Sequence, residues 1–182
     1  MDNIQFLTSR QSQVSSIGTR DLAGCSVVMI ASPRGAIVAH ISPDPNRDPN
    51  DLQAGDHHVQ QAMDRVAAFY DQTKTFFPPG TDTWVVRAVH QEVVASPDQK
   101  RTTKVNIARM GLTSFSSILY VVSNGDEYNA SSGKGMVFID GRAAKPIVYV
   151  EDRVVSQTQQ ASTSDWVWDR EYNRYRQLVE GE

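Results

Sequence analysis

Residues 25–41 read CSVVMIASPRGAIVAHI, and the fold turns on how this stretch pairs with itself. Val27–Ile30 and Ala36–Ile41 are short runs rich in Val and Ile, whose branched side chains pack well on a pleated surface. Between them, Ser32-Pro33-Arg34-Gly35 places Pro at the second turn position, where its fixed φ fits, and Gly at the fourth. The stretch predicts a β-hairpin. Side chains alternate between faces along a strand, so Cys25, Val27 and Met29 share one face while Ala36, Val38 and His40 share one on the partner. With Pro33 and Arg34 as a two-residue turn, Ser32 pairs with Gly35 and His40 lies directly across from Val27. Cys25 is then diagonal to His40 on a common face, roughly 7 to 8 Å away between backbones. A turn with one residue more or fewer puts the two on opposite faces.

Outward from the hairpin, residues 42–55 contain three prolines and many Asp and Asn, which predicts a long loop. Val59, Met63, Val66, Ala67 and Tyr70 recur at helical spacing and predict an amphipathic helix over Asp56–Lys74, ended by Phe77-Pro78-Pro79-Gly80. Thr83–Val94 reads as a strand. Ser96-Pro97-Asp98-Gln99 supplies a cap, a Pro at the first helical position and a Gln three residues after the cap, opening a second helix that Gly111 can close. Ile118–Val122 is a further strand run. Met136–Ile139 and Pro146–Val150, joined through Asp140-Gly141-Arg142, predict a second hairpin, with Ser123–Gly135 as a polar loop before it.

Paired strands at both ends with two helices between them predict an α+β domain: a layered, sandwich-like β-sheet arrangement packed with two main helices, over residues 1–155. Residues 156–163 form a polar linker, and 164–182 an aromatic C-terminal tail expected to be helical. Two of the three tryptophans, Trp166 and Trp168, lie in that tail, and it is similar to the Trp/Tyr-rich tails of uncharacterised fungal proteins.

With 182 residues and 40% hydrophobic composition, the chain supports one domain with its own core. A net charge of -3 without any concentrated Lys/Arg run gives no footprint for nucleic acid. The polar first twenty residues lack an apolar signal core, and no stretch reaches the roughly 18 apolar residues needed to span a bilayer, so a cytoplasmic, membrane-free protein is expected. A single cysteine forms no intrachain disulfide and fits a reducing compartment.

That cysteine is the chemical point of interest. A thiol beside an imidazolium becomes the reactive thiolate, so a catalytic pair predicts a depressed Cys25 pKa and a His40 within hydrogen-bond range. Gly24 lets backbone approach a substrate closely, and nearby amides can receive an oxyanion. A small buried hydrophobe is the alternative reading of Cys25.

Thr19, six residues before Cys25, Gly24 before it, SVVMIASP after it, and GAIVAHISP ending in Ala39-His40 and Pro43 form a pattern over Thr19–Pro43. It resembles the signature of the bacterial chemoreceptor glutamine deamidases, which share a fold and a Cys/His pair with the cytotoxic necrotizing factor deamidase toxins. The family's GLGSC is DLAGC here, so two of its glycines are Asp21 and Ala23. The resemblance implies hydrolysis of a glutamine-like side-chain amide, in a protein or a small molecule, by a catalytic set of Cys25, His40 and Thr19. In it Cys25 is the nucleophile, His40 moves the protons, and Thr19 orients the imidazole or contacts substrate. No cofactor or metal is implied.

Other groups compete less well. Asp56-His57-His58 could join His40 around a metal, but adjacent helical side chains point about 100° apart. His90 reads as a structural histidine, and Ser131–Gly135, SSGKG, lacks the spacing of a phosphate-binding loop. Asp140 belongs to a turn. Two other function classes stand beside the hydrolase. One is an accessory acyl-transfer or cyclisation enzyme of small-molecule metabolism, such as fungal secondary metabolism, which predicts a deep apolar pocket. The other is a non-catalytic interaction module that takes a protein partner through Trp166 and Trp168.

Overall fold

Both faces of the strand carrying SVVMIAS are covered, which is why its sequence is continuously apolar rather than alternating. The structure, a computed structural model, describes residues 2–8, 16–43, 53–90, 93–94, 97–113, 115–122, 135–143, 145–155, 166–169 and 174–177. Side chains are described for these except at 90, 93–94, 97–98 and beyond 155.

The strands are β1 (Asn3–Thr8), β2 (Ser16–Thr19), β3 (Ser26–Ser32), β4 (Gly35–Ile41), β5 (Asp82–His90), β6 (Val93–Val94), β7 (Ser116–Val121), β8 (Val137–Asp140), β9 (Ile147–Val150), β10 (Arg153–Val154), β11 (Trp166–Asp169) and β12 (Arg174–Gln177). Helices α1 (Ala54–Thr73) and α2 (Pro97–Arg109) lie between β4 and β7 in the chain. The larger sheet runs β1-β4-β3-β5-β7-β11-β12, with β6 paired to β5, and the smaller runs β10-β9-β8-β2. The fold is α+β with layered sheets and two helices, as expected.

Alternation along β3, β4 and β5 sorts the core in two. Val27, Met29, Ala31, Ala36, Val38, Trp84, Val86 and Ala88 pack with Ile17, Val137, Ile139, Val148 and Val150 of the smaller sheet. Val28, Ile30, Ile37, Ala39, Ile41 and Val85 pack instead with Val59, Ala62, Met63, Val66 and Tyr70 of α1 and with Ile107 of α2. Helices, larger sheet and smaller sheet therefore stack as three layers. Each fully buried Val, Ile or Met in these interfaces contributes about 1.5–3 kcal/mol.

The β3–β4 hairpin has the even register: Ser32 pairs with Gly35, and Val27 with His40. Ser32, 4% exposed, fixes the turn, since its Oγ accepts the Arg34 and Gly35 N–H groups at 3.0 and 3.3 Å and donates to the Phe76 carbonyl at 2.5 Å. α1 and α2 are joined by a reciprocal amide pair, Gln60 with Asn106, at 3.1 and 3.2 Å. Gly111, at φ 80°, closes the second helix as expected. The second hairpin is β8–β9, and Asp140 serves its turn by accepting the Arg142 backbone N–H at 3.0 Å.

Several expectations change or fall outside. The Thr83–Val94 run is not one strand: β5 ends at His90, and the short β6 turns back to pair with it antiparallel, Val89 with Val94. β1 and β2 precede the first strand read from sequence; β1 is the edge of the larger sheet, and Phe6 contributes its ring to the helix-side core against Phe69, Phe76 and Phe77. The tail expected to be helical over 164–182 instead holds the antiparallel pair β11–β12, with Trp166 beside Ile118 of β7. Alternating Val and aromatic residues favour a pleated ribbon, and β7 offers it a sheet edge. The linker 156–163, most of the 42–55 loop, the 123–134 loop and the side chains of His90, Trp166 and Trp168 lie outside the described residues. Among the described residues no helix is long and apolar enough to cross a membrane.

Candidate active site

His40 sits on β4 with Ala36 and Val38, on the face turned to the smaller sheet. β2 is the edge strand of that sheet, and its last residue, Thr19, meets His40 across the interlayer gap: Thr19 Oγ1 and His40 Nδ1 are hydrogen-bonded at 2.8 Å. The other ring nitrogen, Nε2, is screened from solvent and has no hydrogen-bond partner among the described residues. One nitrogen of the imidazole is thus held and the other left open, the arrangement of a base with its orienting group.

Cys25 immediately precedes β3 and packs, half-buried, against the inter-sheet core that Val27 and Met29 also enter. Because Val27 pairs with His40, Cys25 is one diagonal step from the imidazole. The structure brings Thr19 and His40 into direct contact and puts Cys25 on their side of the larger sheet; it makes no hydrogen bond between His40 Nε2 and the thiol.

Electrostatics correct one expectation. Burial pushes the Cys25 thiol up from its ordinary 9.0, and the Asp2 charge pushes the same way. Burial also pulls His40 below its ordinary 6.5, against the opposing charges of Asp2 and Asp21. A depressed thiol facing an imidazolium is therefore not the resting state. Burial disfavours both charged forms, which favours a neutral thiol and a neutral imidazole over a thiolate–imidazolium pair. A thiol in this state reacts by giving its proton to a base as it attacks.

The approach to Cys25 is built from unusual backbone. Asp21 adopts φ 63° and Gly24 φ 94°, so Asp21 takes up the left-handed conformation that non-glycine residues seldom adopt. Leu22, 1% exposed, anchors the segment in the core, and its N–H donates to Gly135 at 3.1 Å. Tyr120 of β7, also 1% exposed, accepts the Gly24 N–H at 3.0 Å and donates its hydroxyl to the Cys25 carbonyl at 2.8 Å. In the sequence Tyr120 reads only as part of the apolar strand run Ile118–Val122, with no part in the site. The available signal was a phenol in that run, since a buried hydroxyl requires a partner.

Beside Thr19 an open groove of about 400 Å³ runs over Gln5, Arg20, Met136 and Phe138. The competing residues go elsewhere. His58 Nε2 pairs with Asp2 at 3.0 Å and lies 3.1 Å from Ser42 Oγ, which leaves it no role beside His40. Among the described residues no three His, Cys, Asp or Glu side chains are grouped to hold a metal ion. The chain matches no protein-family model, and no curated protein matches it.

Proposed function

We propose that the protein is a cysteine-dependent amidohydrolase, with Cys25 as nucleophile, His40 as general base and acid, and Thr19 orienting the imidazole, acting on a glutamine-like side-chain amide. The observation that carries this reading is the 2.8 Å Thr19–His40 hydrogen bond, together with the open, solvent-screened Nε2 on the Cys25 side of the sheet. With Nδ1–H donated to Thr19, Nε2 holds the lone pair. It takes the Cys25 proton as sulfur bonds to the amide carbon, and returns that proton to the nitrogen as the C–N bond breaks and ammonia leaves. Water, deprotonated by the same Nε2, then adds to the thioester; the C–S bond breaks, the thiol is reprotonated, and the carboxylic acid departs. The groove that Thr19 lines is open to solvent rather than a deep enclosed pocket, and it reaches the proposed site through Thr19 alone, since neither Cys25 nor His40 lines it. A reducing, cytoplasmic compartment suits a site that needs its thiol free.

Cys25 is the only cysteine, so thiol labelling reads this site alone. The rate of Cys25 alkylation by iodoacetamide is to be followed against pH in the wild type and in His40→Ala. Expected is a wild-type limb that rises with loss of a proton from His40, below the ordinary 6.5, and disappears in the variant. Identical profiles in the two proteins would sink the dyad. Ammonia release from a glutamine-bearing peptide library, abolished in Cys25→Ala, tests the substrate class.

A further inference from the structure

Tyr120 stands two strands from the nucleophile in the larger sheet, yet its hydroxyl touches the backbone on both sides of the Gly24–Cys25 link. The sheet shows how it gets there. β5 lies between β3 and β7, Val27 pairs with Val86, and Ala88 pairs with Tyr120. Continuing the β3–β5 register by one step on the same face sets Ala88 level with Cys25. A methyl group is all that separates Tyr120 from Cys25 along that row, so the phenol ring can reach over β5. The ring is buried in the inter-sheet core, which leaves the hydroxyl little freedom of its own.

The two hydrogen bonds are complementary. Gly24 at φ 94° turns the chain into β3, a conformation that glycine reaches easily and that does not by itself fix one geometry. Accepting the Gly24 N–H and donating to the Cys25 carbonyl ties down the Ala23–Gly24 and Cys25–Ser26 peptides, one on each side of the Gly24–Cys25 peptide. With both neighbours held by one hydroxyl, the Gly24–Cys25 peptide between them has little room to rotate, which restrains the Cα–Cβ bond of Cys25 and with it the side of the sheet on which the thiol stands. We infer that Tyr120 is the positioning residue of the nucleophile: it holds Cys25 on the His40 side of the sheet, and the reactivity of the thiol toward that base depends on the phenol hydroxyl. The inference rests on the Cys25/His40 reading above.

Tyr120→Phe removes the hydroxyl and keeps the ring. Iodoacetamide alkylation of Cys25 is to be measured against pH in wild type, Tyr120→Phe, His40→Ala and the double variant, alongside thermal melting. The expected result is that Tyr120→Phe loses the His40-dependent limb, with a roughly tenfold lower rate on its plateau. Adding His40→Ala then changes the profile less than twofold. A role confined to stability would lower the melting temperature and leave the limb in place, and that outcome overturns the inference while the dyad stands. A wild-type profile without any limb that His40→Ala removes overturns both. Hydrogen exchange at the Gly24 amide in the unaltered protein gives a check independent of how the variant folds: protection beyond that of an exposed amide is expected, and unprotected exchange overturns the clamp.

Discussion

Thr19 and His40 carry the most direct evidence in the molecule, and their contact makes a prediction that separates orientation from packing. Thr19→Val keeps the shape and removes the hydroxyl, while Thr19→Ser keeps the hydroxyl. The Val variant is expected to lose about tenfold in Cys25 alkylation rate at neutral pH, and the Ser variant to stay near wild type. Equal behaviour of the two would assign Thr19 to packing alone. His40 also carries a sign for pH. Its neutral form is favoured by burial, so an unfolded chain takes up the imidazole proton at a higher pH than the folded one does. His40 therefore lowers stability progressively as pH falls through the ordinary 6.5 toward its folded value, and His40→Gln is expected to flatten that part of the stability profile. That Cys25 and His40 share one face of the sheet was legible, because side chains alternate along the paired strands. The preference for their neutral forms was not, since desolvation depends on how deeply the second sheet covers them.

The strand that brings Thr19 to His40 is held by close backbone approach. Gly18 of β2 pairs with Phe138 of β8, and a β-carbon at Gly18 would lie 2.4 Å from the Val137 carbonyl oxygen and 2.5 Å from the Phe138 Cβ. Backbone cannot yield as a flexible side-chain tip can. Gly18→Ala is expected to cost about 1–3 kcal/mol in chemical denaturation. It is also expected to slow Cys25 alkylation, because Thr19 is the next residue on the displaced strand. Unchanged stability would show that β2 is not seated against β8 in this way. The β3–β4 hairpin was readable from composition and turn chemistry, down to the Val27–His40 pairing. Helices α1 and α2 were readable from spacing, and the end of α2 from Gly111, to within a few residues, while Ser96, read as the cap of α2, lies outside the described residues. β2, four residues reading SIGT, carries too little pattern to announce itself, and the tail carries aromatic residues compatible with either a helix or a ribbon. An available partner edge on β7 settled the second case.

Across the whole molecule, the larger sheet and α1 are tied by a polar cluster around Asp2. Its carboxylate, 9% exposed, accepts the Ser42 N–H and Oγ–H at 2.9 and 2.7 Å and pairs with Arg65 at 2.8 Å and His58 at 3.0 Å. Burial raises the Asp2 pKa, but hydrogen bonds from Ser42 and the charge of His58 outweigh it and hold the group below its ordinary 3.8. The stabilisation is present above that value and lost as pH falls through the folded one. Asp2→Asn is expected to destabilise by about 1–3 kcal/mol near neutrality, with a smaller gap to wild type near pH 3, read from urea midpoints. An equal gap at both pH values would mean that the charge contributes nothing. Hydrophobic period, turn chemistry and the glycine that ends α2 were enough to define the α+β class, the central hairpin and both helices, because those preferences are local and act over a few neighbouring residues. The site needed the stacking of layers: Thr19 reaches His40 from the other sheet, and Tyr120 reaches Cys25 across an intervening strand. The first contact, 21 positions apart, forms only when two apolar faces have closed on each other, the second, 95 positions apart, only when β5 and β7 have joined the sheet beside β3, and no local preference encodes either.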